Sequence, residues 1–156
     1  MQLIMKSTVL KYGGYGFIAG LVIFGIHLLF LKSFDYSTNE ILGYISIVLS
    51  LSFIYFGIKH YRDHVNNGIV TIGKAIAIGI VISLFVGVAI AIADFIYTKF
   101  IDPDFFKDYS QMLIDKGRED EIMEMTSFGA AFFMLILVTI IGFIISLISA
   151  LILQRK

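Results

Sequence analysis

Residues 75–93 read AIAIGIVISLFVGVAIAIA, nineteen consecutive positions without a charged side chain. A hydrocarbon layer about 30 Å thick is crossed by roughly 20 apolar helical residues rising about 1.5 Å each. This stretch therefore reads as a membrane-spanning helix, and three others match it, at 12–31, 41–58 and 125–154. Four crossings follow, each helix satisfying its own backbone polar groups where no water is present. The first run exceeds the 7–15 apolar residues of a signal peptide and no small-x-small cleavage site follows it, so it reads as a retained helix.

The rest of the chain is consistent with that reading. Only 15% of the 156 residues are charged, against about 25% in soluble domains. The longest polar segment, 94–124, falls below the roughly 40 residues that a self-supporting core needs. Cysteine is absent, which excludes disulfides, thiolate metal sites and cysteine nucleophiles. A formal net charge of zero gives no reason to expect a nucleic-acid partner. No cofactor or metal motif is complete.

The expected fold is all-α: a single membrane domain, an integral bundle of four transmembrane helices at about 12–31, 41–60, 70–99 and 122–154. A short amphipathic extramembrane helix, 102–117, lies between the third and fourth. Asp102-Pro103-Asp104 reads as its start, with Asp102 as N-cap and proline at the first helical position. Phe105, Phe106, Tyr109, Met112 and Leu113 give it one apolar face, and Gly117 a stop. Its polar face carries acids as well as lysines, which favours docking on the protein's own helices over lying on lipid. Arg118 to Glu124 is expected to begin the fourth helix above the membrane.

Basic residues accumulate on the cytoplasmic side of membrane proteins. Lys6, Lys11, Lys59, Arg62, Lys74, Arg155 and Lys156 fall on one side, and Lys32, Lys99, Lys107, Lys116 and Arg118 on the other, with eleven of the twelve acids. Both termini are expected in the cytoplasm.

Small residues recur every four positions as Ala75, Gly79, Ser83, Gly87 and Ala91, as Gly142, Ser146 and Ala150, and as Gly16 and Gly20. In lipid such stripes let helix backbones approach closely. The third and fourth helices are the natural mates, which leaves Gly16 and Gly20 for the second helix or a partner chain. The expected partners are accordingly the lipid bilayer, a second copy, or a larger membrane protein.

Chemistry-bearing residues are few. Asp94 follows the third run; a carboxylate at the centre of a spanning helix costs about 2.5–3.5 kcal/mol on insertion scales, but its place near the outer boundary favours an interfacial acid over an ion or proton site. Asp102 and Asp104 stand on the same side and could attract cations at an outer vestibule. His27 is expected to hydrogen-bond a neighbouring helix. His60 and His64 share a helix face, yet zinc needs three or four ligands; with Lys59 and Arg62 they are expected to meet lipid phosphates. Gly68 to Ala75 nearly matches a phosphate-binding loop but has Ala75 where magnesium needs Ser or Thr. No zinc-protease motif, nucleophile elbow or dinucleotide fingerprint occurs.

Lys11-Tyr12-Gly13, Asn67-Gly68, Gly73-Lys74-Ala75 with Gly79, and above all Ile101-Asp102-Pro103-Asp104-Phe105, resemble the bacterial membrane family catalogued as domain of unknown function 4199. The likeness covers essentially the whole chain, with Ile72 in place of an expected aromatic residue. It implies four spanning helices with a long third connection, and no catalytic or binding residue. The expected role is a non-catalytic accessory or structural membrane protein, the rival a small transporter or channel subunit using its outer acids.

Overall fold

The computed structural model describes residues 2–155, so Lys156, counted above among the basic residues, lies outside them. Four helices are long and apolar enough to cross a membrane: α1 (Met5–Leu29), α2 (Tyr36–Val65), α3 (Ile72–Ile101) and α5 (Ser127–Leu153). The amphipathic helix α4 (Phe105–Asp115) stands between the last two. Among the described residues no β-strand forms.

Three of the helices, α2, α3 and α5, start where a side-chain oxygen caps them, and this moves their boundaries from those set by charge. Asp35 accepts from the Thr38 amide at 3.2 Å, so α2 begins at Tyr36 rather than near 41. Thr71 does the same for α3 and Thr126 for α5, taking the Lys74 and Gly129 amides at 3.5 and 3.0 Å. A cap satisfies one of the orphan donors of a helix end. Residues 119–121 form an isolated 3₁₀ turn. The Arg118 guanidinium closes that turn on the Glu121 carboxylate at 2.7 and 2.5 Å, so the segment expected to begin the last helix is a separate acidic turn. The first helix runs back to Gln2, ten residues before its uncharged run: two lysines do not stop a helix, they only leave the lipid.

A π-helical turn interrupts α1 at Gly20–Phe24, and π turns form the last turns of α2, at Tyr61–Val65, and of α3, at Tyr97–Ile101. Such turns are uncommon and cluster at functional places. None was visible in hydropathy.

Connections place α1 and α3 parallel to each other, with α2 and α5 antiparallel to both. α3 is the centre of the bundle: Ile78, Ile82, Val86 and Ile90 are 0–1% exposed, as are Leu51, Ile54 and Ile58 of α2 and Val138 of α5. Phe132, Phe133, Ile140, Phe143, Ile144 and Ile148 of α5 are exposed along one face, the apolar outside that lipid requires.

The two ends of the bundle are tied differently. At the basic end, Val70 and Arg155 exchange backbone hydrogen bonds of 3.2 and 3.1 Å, and Arg62 donates to the Leu153 carbonyl at 3.5 Å. The α2–α3 turn, with positive φ at Asn67 (53°) and Gly68 (81°), is thereby clasped to the C-terminal end of α5. At the acidic end α4 folds over the bundle.

Candidate functional site

The acidic end brings together more polar side chains than any other part of the described molecule. It is assembled from the α1–α2 connection, the end of α3, and α4. The π turn of α3 closes with the Asp102 amide on the Tyr97 carbonyl at 2.8 Å, and this returns the Asp102 side chain toward the bundle. Asp102 is 8% exposed. Its carboxylate takes the Lys32 ammonium at 3.1 Å and the Tyr97 hydroxyl at 3.4 Å. Asp102 therefore does not cap α4. That helix begins at Phe105, preceded by Asp104, whose side chain makes no capping bond. The N-cap reading fails because two strong donors outside the helix compete for the Asp102 carboxylate. The carboxylate holds the Lys32 pKa above its ordinary value, first by hydrogen bonding and then by charge.

Aromatic contacts fix α4 on this platform. The Tyr36 and Tyr109 hydroxyls are 3.2 Å apart. Phe105 meets the Tyr97 ring edge-on at 6.1 Å and stacks with Tyr109 at 6.3 Å. Lys116 stands over the Tyr36 ring at 5.0 Å, and Leu113 is 1% exposed. The apolar face of α4 is thus spent on the protein's own helices. Gly117, with φ of 68°, ends it in the left-handed conformation glycine adopts without cost.

Asp94 lies on α3, eight residues before Asp102. Its Oδ2 is buried and without a hydrogen-bond partner, as is Asn39 Oδ1. The Asn39 amide nitrogen is used, donating to the Leu31 and Phe34 carbonyls at 2.7 and 3.1 Å and so closing the end of α1. Thr98 beside Asp94 sends its hydroxyl to the Asp94 backbone carbonyl at 2.9 Å, not to the carboxylate. Asp94, Asp102 and Asp104 therefore do not share a site: one is half-buried, one ion-paired, one exposed.

His27 makes no hydrogen bond among the described residues. Its ring lies 5.8 Å from that of Phe24, and its Nε2 would be 3.4 Å from a Cβ on Gly43 of α2. The ring is half-buried between Phe24 and the Gly43 turn of α2, without the interhelical hydrogen bond expected of it. His60 and His64 stack at 4.9 Å, with Tyr12 5.3 Å from His60. No group of three or more potential metal ligands occurs among the described residues. Arg62, expected at lipid phosphates, is turned instead onto Asp63 at 2.5 and 3.0 Å and onto the end of α5. The stretch 68–75 is a turn leading into the capped start of α3, and forms no phosphate cradle.

The small residues lie at helix contacts. A Cβ on Gly79 would run into Ser146 Oγ, one on Gly142 would run into the Ser83 Cβ, and one on Gly87 would meet the Leu135 side chain at 2.9 Å. These pairs run antiparallel along a single α3–α5 seam. Gly16 and Gly20 are also occupied, facing Val86 at 2.7 Å and Ala89 at 3.3 Å of α3. The stripe assigned to α2 or a partner chain thus belongs chiefly to α3. An apolar groove of about 580 Å³ lies on the outside of the α1–α3 pair, lined by Gly14, Phe17, Ile18, Leu84, Phe85 and Val88.

The model of one family, described as protein of unknown function (DUF4199), matches residues 11–155. The chain belongs to that family. No curated protein and no solved structure matches it.

Proposed function

We propose that the chain is a non-catalytic accessory or structural component of a bacterial inner membrane, with both termini cytoplasmic and α4 on the outer face. The observation that carries this reading is the filled centre of the bundle. Ile78, Ile82, Val86 and Ile90 of α3 are buried against α2 and α5, and the Gly79–Ser146 and Ser83–Gly142 approaches leave no width for a solute between α3 and α5. A transport path needs polar groups lining a continuous opening, whereas the groove noted above is apolar and faces lipid.

The basic residues at the Val70–Arg155 end support the cytoplasmic assignment of that end. An accessory role gives the capped end a purpose: α4, held by Lys32–Asp102 and Tyr36–Tyr109, presents its acidic outer face to whatever meets it, a second copy or a larger membrane protein. The rival is a small transporter drawing cations to Asp94, Asp102 and Asp104. Ion flux in proteoliposomes separates the two. The accessory reading predicts no flux above protein-free vesicles. A cation flux abolished by Asp94→Asn would establish the rival.

A further inference from the structure

We propose that the apolar groove between α1 and α3 holds an acyl chain of an anionic phospholipid, whose phosphate is met by Lys6, Lys11 and Lys74 at the basic end of the bundle. This goes beyond the accessory role and does not depend on it.

Two glycines of α1 shape the groove. A Cβ on Gly13 would stand 2.9 Å from the Phe85 ring, so the ring is seated directly on the α1 backbone. A Cβ on Gly14 would meet nothing within 4 Å, and the space left there opens into the groove of about 580 Å³, walled by Phe17, Ile18, Leu84 and Val88. That volume lies within the roughly 300–1,000 Å³ of small-molecule sites. The walls are too bulky for a second helix. Helices associate in lipid through small residues that let their backbones close up, and those of α1, Gly16 and Gly20, already face Val86 and Ala89 of α3. A flexible hydrocarbon chain needs no such approach.

Charge selects the kind of lipid. Gly13 against Phe85, Gly16 against Val86 and Gly20 against Ala89 set α1 and α3 in parallel register, which brings Lys6 and Lys74 to one end of the pair. On α1, Lys6 precedes Gly14 by two steps of four residues, and Lys11 precedes Gly14 and Ile18 by three and seven, so both lysines share the groove side of the helix. On α3, Lys74, Val81, Leu84 and Val88 follow one another at seven, three and four residues along one face. Ala77 and Val81 are exposed there, so apolar surface continues from Lys74 into the groove. Gly14 and Leu84 lie eight and ten residues beyond Lys6 and Lys74, a rise of about 12 and 15 Å. An acyl chain covers that distance between its phosphate and the middle of a hydrocarbon layer about 30 Å thick. Lys6 and Lys11 are exposed, and the only acidic side chain in the sequence at that end, Asp63, is taken by Arg62. Clustered lysines at the edge of lipid attract anionic headgroups.

The chain has no tryptophan, which permits a fluorescence test on the full chain in phosphatidylcholine vesicles containing a minor share of phosphatidylglycerol. Val81→Trp puts one fluorophore beside the groove without filling it. Ile144→Trp is the control, exposed on α5 and at the same depth, since Gly79 faces Ser146 and Ser83 faces Gly142. Phosphatidylglycerol brominated on its acyl chains should quench Val81→Trp severalfold more than the same fraction of brominated phosphatidylcholine, and should quench Ile144→Trp no more than that lipid does. Gly14→Leu, which fills the open space, should remove the excess, and so should Lys6→Gln, Lys11→Gln and Lys74→Gln together. In monodisperse protein, equal quenching of Val81→Trp by the two lipids, an equal excess at Ile144→Trp, or an excess that survives either set of substitutions overturns the proposal. A Val81→Trp fluorophore shielded from both lipids overturns it as well, and assigns the groove to a second copy.

Discussion

Gly79 and Ser146 approach so closely across the α3–α5 seam that a Cβ on the glycine would stand 2.6 Å from the serine Cβ. Between helices in lipid there is little hydrophobic drive, so this contact and the Ser83–Gly142 contact below it are the kind of packing from which association comes. Gly79→Ala should destabilise the protein by about 1–3 kcal/mol, the usual cost of overpacking. Adding Ser146→Gly should restore most of the loss, since it removes the atoms in the way. Gly14→Ala, where a Cβ meets nothing within 4 Å, should change stability by less than about 0.5 kcal/mol. Unfolding in mixed micelles measures all three.

The docking of α4 rests on Asp102, and it should respond to pH in a definite direction. Asp102 holds the Lys32 pKa above its ordinary value. The pair's contribution is therefore complete below the ordinary lysine value of about 10.4 and is lost as pH rises through the higher folded value. Hydrogen exchange across α4, corrected for the intrinsic rate, should accelerate in that alkaline range. Lys32→Ala should give faster exchange already at neutral pH and remove the alkaline change.

At the start of α2 the sign is the opposite. Hydrogen bonds from the Thr38 side chain and amide lower the Asp35 pKa. The cap is fully present above the ordinary aspartate value of about 3.9 and fails as pH falls through the lower folded value. Amide exchange at Ser37–Asn39 should rise in that acid range, and Asp35→Ala should raise it at neutral pH.

The clasp at the basic end offers a local test. Arg155→Pro removes the amide that donates to the Val70 carbonyl at 3.1 Å, and proline cannot replace it. Exchange at the Val70 amide, which bonds the Arg155 carbonyl, should increase while the α3 core around Ile82 stays protected. Arg62→Ala, which removes the bond to the Leu153 carbonyl, should loosen the end of α5 in the same way.

The four spans were legible because lipid demands length and lack of charge, and 75–93 supplies both. Where helices begin was not, because charge marks the edge of lipid while a helix starts at its cap: Asp35, Thr71 and Thr126 were available in the sequence and carried the missing signal. Asp102 was misread for the opposite reason. Its local context matches an N-cap, and only the fold brings Lys32 to it from seventy positions away. The small-residue stripes announced close contacts but not their mates, so the place of Gly16 and Gly20 against α3 required the structure.

Four spans put both termini and the α2–α3 turn on one side of the membrane and α4 on the other. Because the chain has no cysteine, single cysteines at the exposed positions His64, Gln111 and Gln154 report sidedness against a silent background. In intact spheroplasts a membrane-impermeant maleimide should label Gln111→Cys alone, and in inverted vesicles His64→Cys and Gln154→Cys together. Labelling of Gln111→Cys and Gln154→Cys from the same side would contradict the account.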